Sequence, residues 1–72
     1  MSFDIEIKKV RQNAFLSQQD FAKELGVSFS TVNRWETGKT RPTYKAMKAI
    51  DAFCKKNGIL FDIKELLEDK ES

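Results

Sequence analysis

Residues 17–42 read SQQDFAKELGVSFSTVNRWETGKTRP, and this stretch decides the fold. It contains two short helical segments separated by a glycine. Ser17 and Ser28 are suited to cap the two helices, because a serine hydroxyl accepts a hydrogen bond from a backbone N–H of the first turn. Gly26 is suited to end the first helix, because glycine adopts the left-handed conformation at little cost. A helix, a glycine turn and a second helix make a helix-turn-helix motif, which we assign to residues 17–37.

The second helix of this motif has two different faces. At about 100° per residue, Val32 and Trp35 fall on an apolar side that can pack on the preceding helix. The opposite side carries hydrogen-bond donors and acceptors, one cation and one aromatic ring. A helix with such groups can enter the major groove of DNA and contact base edges. The residues that we assign to base reading are Phe29, Ser30, Asn33 and Arg34, and Thr37 lies on the same side.

A set of residues in and around the motif carries a family resemblance: Leu16-Ser17-Gln18, Phe21-Ala22, Leu25-Gly26-Val27, Ser30-Thr31-Val32, Trp35-Glu36, Gly38 and Pro42. In these residues the sequence resembles the Cro and lambda-repressor type of helix-turn-helix domain. The resemblance implies a lambda-repressor-like fold in which the third helix of the chain is inserted in the major groove, and this docking geometry is the family's. The sequence departs from the family pattern at two positions. Phe15 stands where a glycine is usual, and Phe29 stands where a polar base-reading residue is common.

The resemblance also implies roles for three polar residues. A glutamine that matches Gln18 contacts a DNA phosphate in the family, and we assign that role to Gln18; the alternative is an ordinary exposed residue of the first helical turn. Arg11 and Glu36 match a pair that forms an ion pair between helix 1 and the end of helix 3. This pair would orient Arg11 towards the DNA backbone.

The loop after the third helix reads Lys39-Thr40-Arg41-Pro42. It offers two cations, a hydroxyl and backbone N–H groups that are expected to be free, and such groups suit the phosphates that flank a groove. The residues that we assign to phosphate binding are Gln18, Thr37, Lys39, Thr40, Arg41 and Arg11.

Helical periodicity extends beyond the motif, and the chain has no alternating apolar run. We therefore predict an all-α fold of five helices. The predicted helices are residues 4–13, 18–25, 29–36, 44–56 and 62–68, in a single domain spanning 1–72 with its core at 4–67. Asn13 is expected to supply the left-handed residue that ends helix 1. Helix 5 is rich in apolar residues, and it is expected to complete the core or to contribute to a homodimer contact.

Two aromatic side chains allow both a structural and a functional interpretation. Trp35 could stack on a base, but its position beside Val32 favours the core. Phe29 points outward, where its ring could meet a thymine methyl group or pack on helix 2 or on a dimer partner. Cys54 is expected to be a small buried hydrophobe.

Charge is unevenly distributed along the chain. Residues 1–60 carry eleven Lys/Arg and six Asp/Glu, a net charge of +5, whereas residues 61–72 carry two and five, a net charge of −3. A basic region beside an acidic tail suits a polyanion bound on one side. Charge alone also fits a solvated surface of mixed sign, and the motif decides in favour of double-stranded DNA as the partner.

Composition excludes several other classes of protein. With one cysteine and no histidine, the chain cannot form an internal disulfide and is poorly suited to hold zinc. No apolar run approaches the roughly 20 residues that span a membrane, and the N-terminus lacks a signal-peptide pattern. We therefore expect a cytoplasmic protein with no membrane partner, no metal and no cofactor.

Two functional hypotheses follow. The first is a sequence-specific DNA-binding transcriptional regulator, with repression as the expected mode. The second is an interaction module, such as an antitoxin that binds a toxin or another regulator and autoregulates its own operon; the chain could also be a fragment of a larger regulator. An enzyme is not expected, because the sequence shows no nucleophile with a base and no phosphate-cradling glycine loop.

Overall fold

A computed structural model describes residues 3–61 of the chain, which form four α-helices and no strand. The helices are α1 (Phe3–Asn13), α2 (Gln18–Leu25), α3 (Phe29–Glu36) and α4 (Tyr44–Asn57). The all-helical prediction is confirmed, and the predicted bounds of α2 and α3 coincide with those observed. The predicted α1 starts one residue late and the predicted α4 ends one residue early. The fifth helix predicted at residues 62–68 lies outside the described residues.

Three helices begin at a hydroxyl cap. The side chains of Ser17, Ser28 and Thr43 each accept a hydrogen bond from the backbone N–H three residues later, at 3.0 to 3.1 Å. Each cap has an extended backbone conformation, so the chain turns sharply into the helix that follows. The N-terminal signals of the motif therefore act as the sequence predicts, and they fix where α2 and α3 begin.

The end of α3 is closed by Gly38. Its φ of 77° is in the left-handed region, and its N–H donates to the carbonyl of Trp35 at 3.1 Å. The N–H of Lys39 donates to the carbonyl of Arg34 at 2.9 Å, which completes a Schellman motif. This motif turns the chain out of α3 and into the loop that precedes α4.

The end of α1 has the same geometry with a different residue. The N–H groups of Phe15 and Leu16 donate to the carbonyls of Gln12 and Arg11 at 3.0 and 3.2 Å. Phe15 is in the left-handed region, with a φ of 59°. The prediction that Asn13 ends α1 in this way is therefore wrong: Asn13 is still helical, and Phe15 takes the conformation that glycine would adopt without strain.

The core lies where α3 packs on α1 and α2, and where α4 packs on α2. The rings of Phe21 and Phe53 meet edge to face, with their centroids 5.4 Å apart. Trp35 is 3% exposed, so its prediction as a core ring is confirmed. The buried residues of this cluster are Ile7, Val10, Phe21, Ala22, Val32, Trp35, Ile50, Phe53 and Cys54.

Cys54 is buried in this core, as the sequence predicts. Burial, helped by the nearby Asp51 carboxylate, raises the pKa of the Cys54 thiol to about 11. The thiol is therefore protonated at neutral pH and packs as a small apolar group. Within residues 3–61, every helix is too short or too polar to cross a lipid bilayer.

Candidate nucleic-acid interface

The outward face of α3 is open to solvent. Phe29 is 52% exposed, and Ser30 and Arg34 are also exposed, whereas Val32 and Trp35 on the opposite face are buried. Because Ser28 caps α3, Phe29 and Ser30 project from its first turn, while Arg34 lies one turn further on. This face presents a ring, a hydroxyl and a guanidinium on a rigid helix.

Arg11 and Glu36 join α1 to the last turn of α3. The Arg11 Nε donates to Glu36 Oε2 at 2.7 Å, and Arg11 Nη2 donates to Glu36 Oε1 at 3.0 Å, so the pair is bidentate. Arg11 Nη1 also donates to the carbonyl of Leu16 at 2.9 Å. The Glu36 side chain is 3% exposed and the Arg11 side chain 15%. Hydrogen bonding to Glu36 raises the pKa of Arg11 although partial burial opposes the shift, so the guanidinium stays charged.

Gln18 and Asn33 extend this ion pair towards the face of α3. The Gln18 Nε2 donates to Glu36 Oε1 at 3.0 Å, and its Oε1 accepts from Asn33 Nδ2 at 3.3 Å. Gln18 and Asn33 are both half-buried. The sequence gives no signal for the bond between them, because Gln18 and Asn33 lie on different helices and are 15 residues apart.

The loop between α3 and α4 carries the exposed side chains of Lys39, Thr40 and Arg41. Its backbone does not match the sequence expectation of free N–H groups. The N–H groups of Lys39 and Thr40 both donate to the carbonyl of Arg34, at 2.9 and 3.4 Å. The Thr37 hydroxyl also points inward, donating to the carbonyls of Asn33 and Arg34 at 2.9 and 3.3 Å. An anion at this loop would therefore meet side chains rather than open backbone amides.

Arg41 contacts Phe3, a residue that the sequence does not connect with it. Its guanidinium carbon lies 5.1 Å from the centroid of the Phe3 ring, a cation–π contact. Phe3 is the first residue of α1 and lies 38 residues before Arg41, so no local pattern in the sequence connects the two. The contact ties the start of α1 to the loop after α3.

The structure thus arranges the assigned residues in three groups. Arg11, Glu36, Gln18 and Asn33 form one hydrogen-bonded network, whereas Phe29, Ser30 and Arg34 form an exposed face. The third group is the loop of residues 37–41. Residues 3–61 contain no cluster of three metal-ligating side chains.

Comparison with known proteins identifies the family of the chain. The chain matches the helix-turn-helix family over residues 7–58, most of its length. It belongs to this family, and the type is that of the Cro and lambda-repressor domains. The matched segment contains α2, α3, α4 and the loop between α3 and α4 in full.

Two curated relatives share part of the sequence. The chain is 32% identical over 53 residues to the HTH-type transcriptional activator BcrR of Enterococcus faecalis, covering 74% of this chain and 26% of that protein. It is 40% identical over 50 residues to the type II methyltransferase M.SsoII of Shigella sonnei, covering 65% of this chain and 13% of that protein. The chain therefore spans about a quarter or less of the length of these relatives. No solved structure matches it.

Proposed function

We propose that the chain is a sequence-specific, double-stranded-DNA-binding transcriptional regulator that inserts α3 into the major groove. The observation that carries this proposal is the exposed face of α3, where Phe29, Ser30 and Arg34 project beside a cationic loop. Arginine is the commonest reader of guanine, through O6 and N7. A polar, partly aromatic face on a short capped helix suits the major groove of DNA better than it suits an apolar protein interface.

The cationic loop supports the same partner. Because the N–H groups of Lys39 and Thr40 donate to the carbonyl of Arg34, the loop lies directly beside the last turn of α3, which carries Arg34. Lys39 and Arg41 are exposed there, and Arg41 is steadied by the ring of Phe3. Cations fixed at the border of a groove-binding helix suit the phosphates of the same duplex.

Arg11 has a different part in the proposal. Its Nε, Nη1 and Nη2 each already donate to Glu36 or to the Leu16 carbonyl. A guanidinium has five N–H groups, so Nη1 and Nη2 each keep one N–H that Arg11 can offer to a phosphate oxygen in addition to its charge. Gln18 keeps one amide N–H beyond its bond to Glu36 and can offer it to a phosphate oxygen.

The mode of regulation and the oligomeric state are further parts of the proposal. We propose repression, because occupying a promoter requires nothing beyond DNA binding, and the named activator relative supports only the broader role in transcription. A reporter fused to a selected operator would fall in expression on repression and rise on activation.

A homodimer through the predicted fifth helix would require half-sites about one helical turn apart. We assign the chain no reaction of its own and no obligatory protein partner.

Selection of bound duplexes from a random pool tests the proposal. The full chain, residues 1–72, is incubated with randomised duplexes, and the retained fraction is sequenced over several rounds. We expect enrichment of a motif of a few base pairs, or of two such motifs in symmetric repeat for a dimer. Retention of every sequence in equal proportion, or of none, would contradict the proposed function. The double variant Arg34→Ala and Phe29→Ala is the matched control, and it should lose the enrichment at the positions that these two residues contact.

A further inference from the structure

We propose that Glu36 fixes which atoms Asn33 presents to DNA, through a hydrogen-bond chain that runs from Glu36 to Gln18 to Asn33. The inference rests on the proposed function. In this inference Glu36 and Gln18 are positioning residues for base recognition, and Asn33 is the residue that contacts the base. The base that Asn33 recognises is adenine.

The donor-to-acceptor direction of this hydrogen-bond chain is set at Glu36. An ionised carboxylate has no hydrogen to donate, so each of its hydrogen bonds must be accepted. Both oxygens of the nearly buried Glu36 carboxylate accept a hydrogen bond from the Arg11 guanidinium, and this bidentate contact holds them in place as acceptors. The Gln18 atom that faces Glu36 Oε1 must therefore be the Nε2 amide nitrogen, as the 3.0 Å contact has it.

The same constraint passes through Gln18 to Asn33. With Nε2 directed at Glu36, the Oε1 of Gln18 faces Asn33, and this oxygen can only accept. Asn33 must present its Nδ2 to Gln18, at 3.3 Å. An amide side chain is otherwise free to rotate by 180° and exchange its oxygen for its nitrogen. Here the rotation of Asn33 would bring its Oδ1 against the Oε1 of Gln18, and two acceptors cannot form a hydrogen bond.

What remains on Asn33 is one acceptor and one donor. The Oδ1 and the second N–H of Nδ2 take no part in the bond to Gln18. Adenine offers the matching pattern in the major groove, a donor at N6 and an acceptor at N7. A rotated Asn33 would lose its bond to Gln18. The hydrogen-bond chain therefore lowers the affinity for any base that requires the reversed orientation of Asn33.

Comparing the base preferences of matched variants tests this inference. The probe is a pool of synthetic duplexes randomised in sequence, and the readout is the base frequency at each position of the motif. Asn33→Ala identifies the position that Asn33 contacts. Gln18→Leu removes the hydrogen-bond chain but leaves the Arg11–Glu36 pair in place. We expect Gln18→Leu to lower the adenine preference at that position by about fivefold or more.

Two features make this result specific to positioning. The loss of a phosphate contact by Gln18 weakens all duplexes alike, so it cancels in the base frequencies. The preference that depends on Arg34 should persist in Gln18→Leu, which shows that the variant is folded and docked. In the Asn33→Ala background, Gln18→Leu should produce no further change at the adenine position.

Glu36→Gln provides a second variant. An amide at residue 36 can donate as well as accept, so both directions of the hydrogen-bond chain become possible. The adenine position should then relax while the preference that depends on Arg34 persists. An undiminished adenine preference in Gln18→Leu would overturn the inference, as would an Asn33→Ala variant with the wild-type motif; either result would leave the proposed function standing. Failure of the wild-type chain to select any motif would instead remove the proposed function and this inference together.

Discussion

Phe15 is a residue whose backbone and side chain are both placed unfavourably. Its φ is 59°, a conformation that costs a residue with a Cβ roughly 1–2 kcal/mol. Its ring is 94% exposed, so packing in this chain does not offset the strain. What holds it there is the Schellman motif at the end of α1, in which the next residue, Leu16, donates to the carbonyl of Arg11.

The strain at Phe15 leads to a prediction about stability. Phe15→Gly should raise the free energy of unfolding relative to Phe15→Ala by about 1 kcal/mol, because only glycine adopts this φ without strain. The alanine variant is the matched control, since it removes the exposed ring and keeps the Cβ. Urea denaturation measures the difference. Equal stability of the two variants would show that the left-handed conformation is not strained.

Arg34 and Phe29 are expected to contribute differently to base preference. Arg34→Ala should remove the preference at one guanine, a loss of roughly 1–3 kcal/mol in discrimination, because a bidentate contact is deleted. Phe29→Ala should relax a thymine position through lost methyl contact and leave the salt dependence unchanged. Competition binding with duplexes that differ at single base pairs measures both effects. If both variants keep the wild-type ranking of duplexes, α3 does not read bases through these residues.

At the scale of elements, α1 and α3 are joined by one nearly buried ion pair. Removing one partner of such a pair leaves the other charge buried, which costs about 3–5 kcal/mol in comparable cases. A domain of this size has a total stability on the order of 4–10 kcal/mol. Loss of Arg11 or Glu36 alone therefore endangers the fold, even though exposed ion pairs contribute little.

A double-mutant cycle tests the contribution of this pair. We expect Glu36→Leu and Arg11→Met each to lower the free energy of unfolding by about 3 kcal/mol. The double variant should be more stable than the sum of the single effects predicts, because no unpaired charge remains. Thermal unfolding monitored by circular dichroism provides the values. Strict additivity would mean that the two side chains do not interact in solution. The i, i+4 pair of Asp51 and Lys55, 3.1 Å apart and with an exposed Lys55 side chain, is the control and should show less coupling than the Arg11–Glu36 pair.

The helices were predictable from sequence because their signals are local. Serine and threonine caps, glycine ends and apolar stripes act within one or two turns, so the bounds of α2 and α3 follow from the residues themselves. The left-handed residue after α1 was not predictable in this way. Asn13 tolerates that conformation better than Phe15, but hydrogen bonding around Leu16 places the turn two residues later.

The candidate site was predictable only in part. The faces of α3 follow from its periodicity, and Arg11 and Glu36 were paired through the family resemblance. The bond between Gln18 and Asn33 and the contact of Arg41 with Phe3 depend on how separate elements are oriented. Neither can be read from spacing along the chain, because several side chains on each element could have met.

For the whole molecule, charge gives a further prediction. The net charge of +5 over residues 1–60 includes the cations of the loop after α3. If a monomer neutralises about four phosphates, the slope of log K against log salt should be about −3.6. Lys39→Ala should weaken all duplexes similarly and reduce the magnitude of the slope by about one. Fluorescence anisotropy between dilute and physiological salt measures the slope, and Lys23→Ala on α2 is the matched control. An affinity for DNA that does not change with salt would show that phosphate contacts do not contribute to binding.

The central claim is that α3 and the loop after it are the surface that meets DNA. Chemical-shift mapping of the ¹⁵N-labelled chain with a selected duplex tests this claim most directly. We predict that the largest changes fall on residues 29–34 and 39–41 and at Gln18, with residues 48–56 of α4 little affected. Changes centred on α4, with residues 29–34 unperturbed at saturating duplex, would contradict the account.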